Sequence, residues 1–291
     1  MQLTFILLLS GLVNFAVTGC DNTANNVSTL YLDPVGHVEK NAGLEISGLA
    51  KSRCYTDVYW AVNDSGNPAV IVPLSPEGKV VSASGKGIAV TGAKNTDWEA
   101  LAVDRSGKLY ICDVGNNYSR RKELQIYTIR EPAPGSSASE KAEVIRVRYP
   151  EQHLSSPDKL IYDCEAVFVF KKKIYLLTKR LHDSATTLYR LDRQEKNTVN
   201  NLTLIKTYPI GGYVTAADIS PDQKMLAVLT YRSLWIFYDF QDDDFFAGRK
   251  KQIPLEGAGQ IESVVFTNNE QLMLVNEAKN EIFTVRLNTG D

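Results

Sequence analysis

Trp98-Glu99-Ala100-Leu101-Ala102, the turn Asp104-Arg105-Ser106-Gly107 and the apolar run at 109–112 form the unit on which the fold is read. Four segments line up with its first part: Ile46-Ser47-Gly48-Leu49-Ala50, Cys164-Glu165-Ala166-Val167-Phe168, Val214-Thr215-Ala216-Ala217-Asp218 and Ile261-Glu262-Ser263-Val264-Val265. Each begins a short strand and leads through a turn into a second apolar run, as at 174–178, 225–230 and 271–275. The turn sets the register of the fourth segment. Ser220-Pro221-Asp222 stands beyond Thr215 as Asp104-Arg105-Ser106 stands beyond Glu99.

The equivalent positions are 47, 99, 165, 215 and 262, with separations of 52, 66, 50 and 47 residues. The long interval holds a loop, Glu131-Pro132-Ala133-Pro134-Gly135-Ser136-Ser137, and also Ser155-Ser156-Pro157. Each interval has room for about four strands, the content of one propeller blade. In the first they fall near 46–50, 58–62, 68–73 and 79–90; in the second, near 98–103, 108–113, 124–130 and 142–149. The last repeat offers only 261–266, 271–275 and 281–286. The N-terminal run 29–32 is expected to supply its fourth strand, closing the ring by pairing edges that would otherwise be exposed. The chain therefore reads as all-β, a five-bladed β-propeller; six blades is the alternative if one blade has lost its signal.

Composition is that of an ordinary globular chain: 291 residues, 44% hydrophobic and 23% charged. With 32 basic against 34 acidic side chains, it has no basic excess to neutralise phosphates, so nucleic acid is not an expected partner. Four cysteines lack zinc-site spacing, and the three histidines, His37, His153 and His182, are scattered. No P-loop, dinucleotide-binding glycine fingerprint or serine-hydrolase elbow is present. Whether Cys112 and Cys164, from neighbouring blades, pair with each other stays open.

Residues 1–19 carry no charge, and the mostly apolar run 3–17 is short for a membrane helix. It ends in Val17-Thr18-Gly19-Cys20, which resembles a bacterial lipoprotein signal. That resemblance implies cleavage before Cys20 and lipidation of its thiol. The n-region lacks the usual Lys or Arg, and a non-lipidated secretory signal is the alternative. The expected organisation is a signal peptide at 1–19, a lipidated tether at 20–28 and a propeller domain at 29–291. The expected location is the bacterial cell envelope, with the membrane reached only through the lipid.

The innermost strand of each blade lines the central axis. The aligned positions there hold Ser47, Glu99, Glu165, Thr215 and Glu262, five oxygen-bearing side chains of which three are carboxylates. Carboxylates converging on an axis must take up protons, spread apart or share a cation. Calcium accepts about 6–8 oxygen ligands, which suits this set, while the absence of His and Cys argues against zinc or copper.

The order resembles the calcium-activated nucleotidase (apyrase) family, secreted five-bladed propellers whose central calcium is held by Ser, Glu, Glu, Ser and Glu, one per blade. Here Thr215 stands for the second Ser. Glu45-Ile46-Ser47-Gly48-Leu49 and Glu99-Ala100-Leu101-Ala102-Val103 are similar to the first- and second-blade motifs, and Thr178-Lys179-Arg180 to a basic pair in the third. The resemblance implies calcium as cofactor and a phosphorylated small molecule as substrate. Two stretches depart from the pattern. Asn63-Asp64-Ser65-Gly66 keeps an acid but no arginine, and Cys112-Asp113-Val114-Gly115-Asn116-Asn117 keeps only a glycine of a richer motif. The chain is also similar to bacterial propeller lipoproteins with Asp-Trp-Glu motifs and no assigned activity.

About fourteen residues beyond each key position, the second strands end at Asn63-Asp64, Asp113, Thr178-Lys179-Arg180, Thr230-Tyr231-Arg232 and Asn276-Glu277, and Arg120 and Arg121 follow on the blade-two loop. Asp64, Arg120, Lys179, Arg180 and Arg232 are the candidate substrate-binding groups, since guanidinium and ammonium groups bind phosphate oxygens. Asp113 and Glu277 are the candidate proton acceptors. The same bases can instead form ion pairs with the neighbouring acids. Three readings follow: a calcium-dependent hydrolase of phosphoanhydrides or phosphoesters; a lactonase or other ester hydrolase built on a calcium propeller; and a non-catalytic envelope propeller that binds a protein or glycan around structural calcium.

Overall fold

The structure is a computed structural model that describes residues 29–43, 45–152 and 161–287. The signal peptide, Cys20 and the tether lie outside these residues, as does Ser155-Ser156-Pro157. The described chain is a five-bladed β-propeller of twenty-two strands, with 3-10 turns at Lys40–Ala42 and Phe245–Ala247. No helix among the described residues is long and apolar enough to cross a membrane.

Each blade is an antiparallel meander running outward from the axis. Blade one comprises β3 (Ile46–Lys51), β4 (Tyr59–Asn63), β5 (Val70–Leu74) and β6 (Ile88–Ala89). Blade two comprises β7 (Trp98–Val103), β8 (Lys108–Asp113), β9 (Leu124–Arg130) and β10 (Glu143–Arg148). Blade three has β11 (Asp163–Phe170), β12 (Lys173–Lys179), β13 (Thr186–Leu191) and β15 (Thr203–Tyr208). Blade four has β16 (Val214–Ile219), β17 (Met225–Thr230), β18 (Ser233–Tyr238) and β19 (Arg249–Glu256). Blade five has β20 (Ile261–Asn268), β21 (Gln271–Asn276) and β22 (Glu281–Arg286). The inner strands β3, β7, β11, β16 and β20 contact one another in that order, and β20 returns to β3.

The N-terminal segment closes the ring, but not with the run expected. β1 (Leu30–Tyr31) pairs parallel with β19 at the outer edge of blade four. The fourth strand of blade five is β2 (Gly36–His37), antiparallel to β22. Side-chain character explains the shift. Leu30 and Leu32 pack into the core between blades four and five, whereas Gly36 and His37 lie on a solvent-facing edge where little is buried. A similar short strand, β14 (Val199–Asn201), covers the outer edge of blade two by pairing with β10. Both additions satisfy backbone groups that an open edge would leave unpaired.

Burial falls in five apolar clusters, one at each seam between neighbouring blades. Trp60 and Trp98 are fully buried in the seam between blades one and two. There Trp60 Nε1 donates to Glu131 at 2.9 Å, so the loop after β9 is pinned to blade one. Trp235 stacks on Phe237 at the rim of the seam between blades three and four. Cys112 and Cys164 are both fully buried thiols in the seam between blades two and three, and neither is in a disulfide. Asp242-Asp243-Asp244 is a largely exposed loop that also clasps blade four to blade three. Asp242 meets Lys171, Asp243 meets Arg190 and Asp244 meets Lys206.

The five inner strands share one irregularity. Pairing with the second strand skips a residue between Ile46 and Gly48, Trp98 and Ala100, Cys164 and Ala166, Val214 and Ala216, and Ile261 and Ser263. The skipped residues are Ser47, Glu99, Glu165, Thr215 and Glu262. A bulge frees its extra residue from the ladder and re-aims that side chain. The sequence repeat is thus a repeat of bulges.

The strands converge so tightly that Gly48 has no room for a side chain. A Cβ there would sit 2.7 Å from Leu101 N and 2.9 Å from Ala100 C, both backbone atoms that cannot swing away. Gly48→Ala is expected to lower stability by about 1–3 kcal/mol, the usual cost of forced overpacking. Urea unfolding measures this, and an unchanged midpoint would contradict the tight axial packing.

Candidate metal centre

The second strand of each blade ends against the start of the first. Ile46 faces Asn63, Trp98 faces Asp113, Asp163 faces Lys179, Val214 faces Thr230 and Ile261 faces Asn276. The bulged residues and the expected mouth residues are therefore at the same end of the propeller.

The five aligned residues split by chemistry. Ser47 Oγ donates to Trp98 O at 2.7 Å, and Thr215 Oγ1 donates to Ile261 O at 2.8 Å. These hydroxyls tie one inner strand to the next. Glu99 and Glu165 meet in a carboxylate cluster with Asp163, the three acids each offering an oxygen within 4.8 Å of the others. Asp64, Asp97 and Glu99 form a second such group. Glu262 is buried at the side of this cluster and accepts from Gln260 Nε2 at 2.6 Å.

Asp97 and Asp163 are absent from the expected metal set. Their signal lies in the repeat itself. Each stands two residues before the key glutamate, as Asp97-Trp98-Glu99 and Asp163-Cys164-Glu165. Each aspartate has a carboxylate oxygen within 4.8 Å of its own glutamate's. The corresponding positions in the other blades hold Glu45, Tyr213 and Gln260, so the Asp-x-Glu pattern marks blades two and three alone.

The blade-two loop is held rigidly over the cluster. Arg121 donates to the Asp113 carboxylate at 2.8 Å and to Gly115 O at 2.7 Å. Asp113 also accepts the Asp97 N–H at 3.1 Å, which places Asp97. The Asn116 N–H donates to Asp163 at 2.6 Å, while no described donor reaches the other Asp163 oxygen. Asp113, 1% exposed, is thus locked in an ion pair beneath the loop.

Most basic mouth residues are engaged. Lys179 donates to Glu165 at 3.1 Å and lies 5.3 Å from the Tyr231 ring centre. Arg180 is paired with Asp183 and donates to Thr187 at 3.1 Å. Arg120 stacks over Tyr118, 5.4 Å from its ring centre. Arg232 is exposed and lines a surface hollow with Tyr231 and the 257–260 loop. Glu277 lies beside this hollow and accepts from Gln260 Nε2 at 3.3 Å.

Burial and crowding raise the acids. Burial first, then the neighbouring charges Glu165 and Asp64, pushes Glu99 well above the carboxylate range. Glu165 is raised by burial and by Asp163, with Lys179 opposing. Asp163 is raised by burial, with the Asn116 hydrogen bond opposing. Burial and Asp64 push Asp97 to about 6, and burial and Glu262 push Glu277 to about 7. For Lys179, burial acts to lower the pKa, but Glu165 and Tyr231 hold the ammonium above its ordinary range. The donor set is all oxygen, buried and short of cationic partners. It fits a hard divalent ion and not a thiophilic one.

No protein-family model matches the chain, and no curated protein matches it in sequence. Solved structures do match. The PQQ-bound aldose sugar dehydrogenase of Streptomyces coelicolor superposes with a TM-score of 0.52 at 9% identity, over 88% of this chain and 97% of that one. A Bacteroides thetaiotaomicron protein of unknown function gives 0.48 at 9% identity, over 88% and 75%. Kuenenia stuttgartiensis hydrazine synthase gives 0.42 at 14%, over 82% and 57%. At 9% identity the likeness to the dehydrogenase is one of fold. The chain is a β-propeller protein with an acidic centre capable of binding a metal ion.

The raised carboxylates make the metal-free fold sensitive to pH. An unfolded carboxylate titrates near 4, so between about 4 and 7 the native state binds more protons than the unfolded one. Stability of the metal-free protein is expected to rise as pH is lowered from 8 to 5.5. Adding calcium at pH 8 should raise the melting temperature, and a chelator should reverse the gain. Thermal unfolding across this pH range checks both; a melting temperature that falls steadily from pH 8 to 5.5 would contradict the assignment.

Proposed function

We propose that this is an envelope propeller, tethered by lipid on Cys20, whose central carboxylates hold calcium and which hydrolyses phosphoanhydrides or phosphoesters there, as the nucleotidase resemblance implies. The observation that carries this reading is the convergence of Glu99, Asp163 and Glu165, all buried, with oxygens within 4.8 Å of one another. Buried acids so placed, with a single ammonium in contact with one of them, call for a cation.

A bound calcium would supply charge neutralisation and polarise a phosphoryl oxygen. The chain's own groups do the rest. Arg232, exposed beside the hollow, binds phosphate oxygens bidentately, and Arg120, stacked on Tyr118, is a second guanidinium for them. Lys179 is a buried, fixed positive charge against the cluster, oriented by Glu165 and Tyr231. Glu277, with its pKa near 7, accepts the proton of the attacking water. Asp113 is a positioning residue, since its carboxylate holds Arg121 and the Asp97 backbone in place.

One observation favours a non-catalytic alternative, in which calcium is structural and the mouth binds a protein or glycan. Lys179, Arg180 and Arg121 are already paired with Glu165, Asp183 and Asp113. Phosphate release from nucleoside di- and triphosphates and simple phosphoesters separates the two. The hydrolase reading expects calcium-dependent release, with Glu277→Gln lowering kcat about 10²–10⁴-fold while calcium binding is retained. Calcium binding with no release from any of these substrates would reject it in favour of the alternative.

A further inference from the structure

We infer that the acidic centre holds two divalent cations bridged by the Glu99 carboxylate. The inner ion is held by Glu99, Asp163 and Glu165, and the outer ion by Asp64, Asp97 and Glu99. The inference rests on the reading that this centre binds cations and goes beyond it in number, ligands and arrangement.

Geometry is the first support. Oxygens around one calcium lie about 2.3–2.6 Å from it, so two ligands of the same ion stand at most about 5 Å apart. The acids meet this condition as two groups of three sharing only Glu99, and not as one group of five. A single ion at either place would leave two of the five carboxylates without it.

The second support is the state of Glu99. It is 5% exposed and crowded by the charges of Glu165, Asp64, Asp163 and Asp97. A carboxylate so placed is costly unless something positive meets it. Its place in both groups is what a bridging ligand requires. Asp163, 1% exposed, has one oxygen that no described donor reaches.

Gly115 closes the space from above. A Cβ there would stand 2.4 Å from the Asp97 carboxylate and 2.5 Å from a Glu99 oxygen. The loop backbone is therefore pressed against the two acids that link the sites. Arg121, which donates to Gly115 O, fixes the backbone at that height.

Charge points the same way. Among the described residues, one ion pair touches the five acids, that of Lys179 with Glu165. One ammonium cannot offset five ionised carboxylates. The pair sits on the inner group, so the outer group has no protein cation in contact with it. Asp64 and Asp97 are also half-exposed, whereas Asp163 and Glu165 are buried. The outer ion is therefore the exchangeable one and faces the mouth. Two-metal centres that act on phosphoryl groups hold their ions about 3.5–4 Å apart.

The test counts bound calcium per full-length chain by equilibrium dialysis and calorimetry, using calcium alone as the probe. Wild type is expected to bind two ions. Asp97→Asn and Asp64→Asn should each lose one, the more exchangeable, and Asp163→Asn should leave at most one. Glu99→Gln should weaken both. Thermal unfolding of each variant confirms that it is folded, and Asp64, on a partly exposed loop, is the substitution least able to disturb the core. One ion in wild type, unaffected by Asp64→Asn and Asp97→Asn, would overturn the two-ion centre and leave the single-cation reading standing. No bound ion would overturn both.

Discussion

Closing a ring of five sheets forces five inner strands into one narrow axis, and the acids they carry cannot avoid each other there. Glu99, Glu165 and Asp163 are buried together because β7 and β11 are neighbours and both carry an acid at the bulge. Electrostatic repulsion at low solvent exposure is a large penalty when nothing positive is present. The packing of Gly48 against the β7 backbone shows that the strands are held at contact distance. The fold thus gathers acids at its centre at an electrostatic cost, which a hard cation bound there would offset.

The bulges join architecture to chemistry. A regular strand would keep each key residue in the ladder, pointing by strict alternation. The extra residue breaks that alternation at the same place in every blade. Where the extra residue is a hydroxyl, as at Ser47 and Thr215, it stitches adjacent inner strands together. Where it is a carboxylate, it faces the centre or its flank. At the bulge itself, blades one and four therefore contribute closure, and blades two and three contribute charge. Glu262 in blade five belongs with neither pair, since Gln260 holds it beside the cluster.

Much of this was legible in the sequence because a propeller repeats its local problem. The five strand starts, the turns after them and most strand limits of the first two blades follow from periodicity and turn residues, but the outer strand of blade one, expected over 79–90, is only Ile88–Ala89. Asp97 and Asp163 do not stand out although Asp-x-Glu appears twice, because the position two residues before the key residue is not acidic in every blade, holding Tyr213 and Gln260 in blades four and five. The closing strand differs from expectation for another reason. Thr29-Leu30-Tyr31-Leu32 has stronger strand character than Gly36-His37, but the position of the blade-four seam decides which segment pairs where. The interblade clasp of Asp242, Asp243 and Asp244 depends on bases scattered across blade three, and no local pattern announces it.

The central claim is that these carboxylates meet in order to hold a hard cation. Anomalous diffraction from crystals of the full chain equilibrated with calcium, and separately with manganese, tests it most directly. The account predicts a peak enclosed by Glu99, Asp163 and Glu165 oxygens, with Lys179 still paired to Glu165. Maps with no peak there at saturating ion, and the same acids paired only with protons or water, would contradict it.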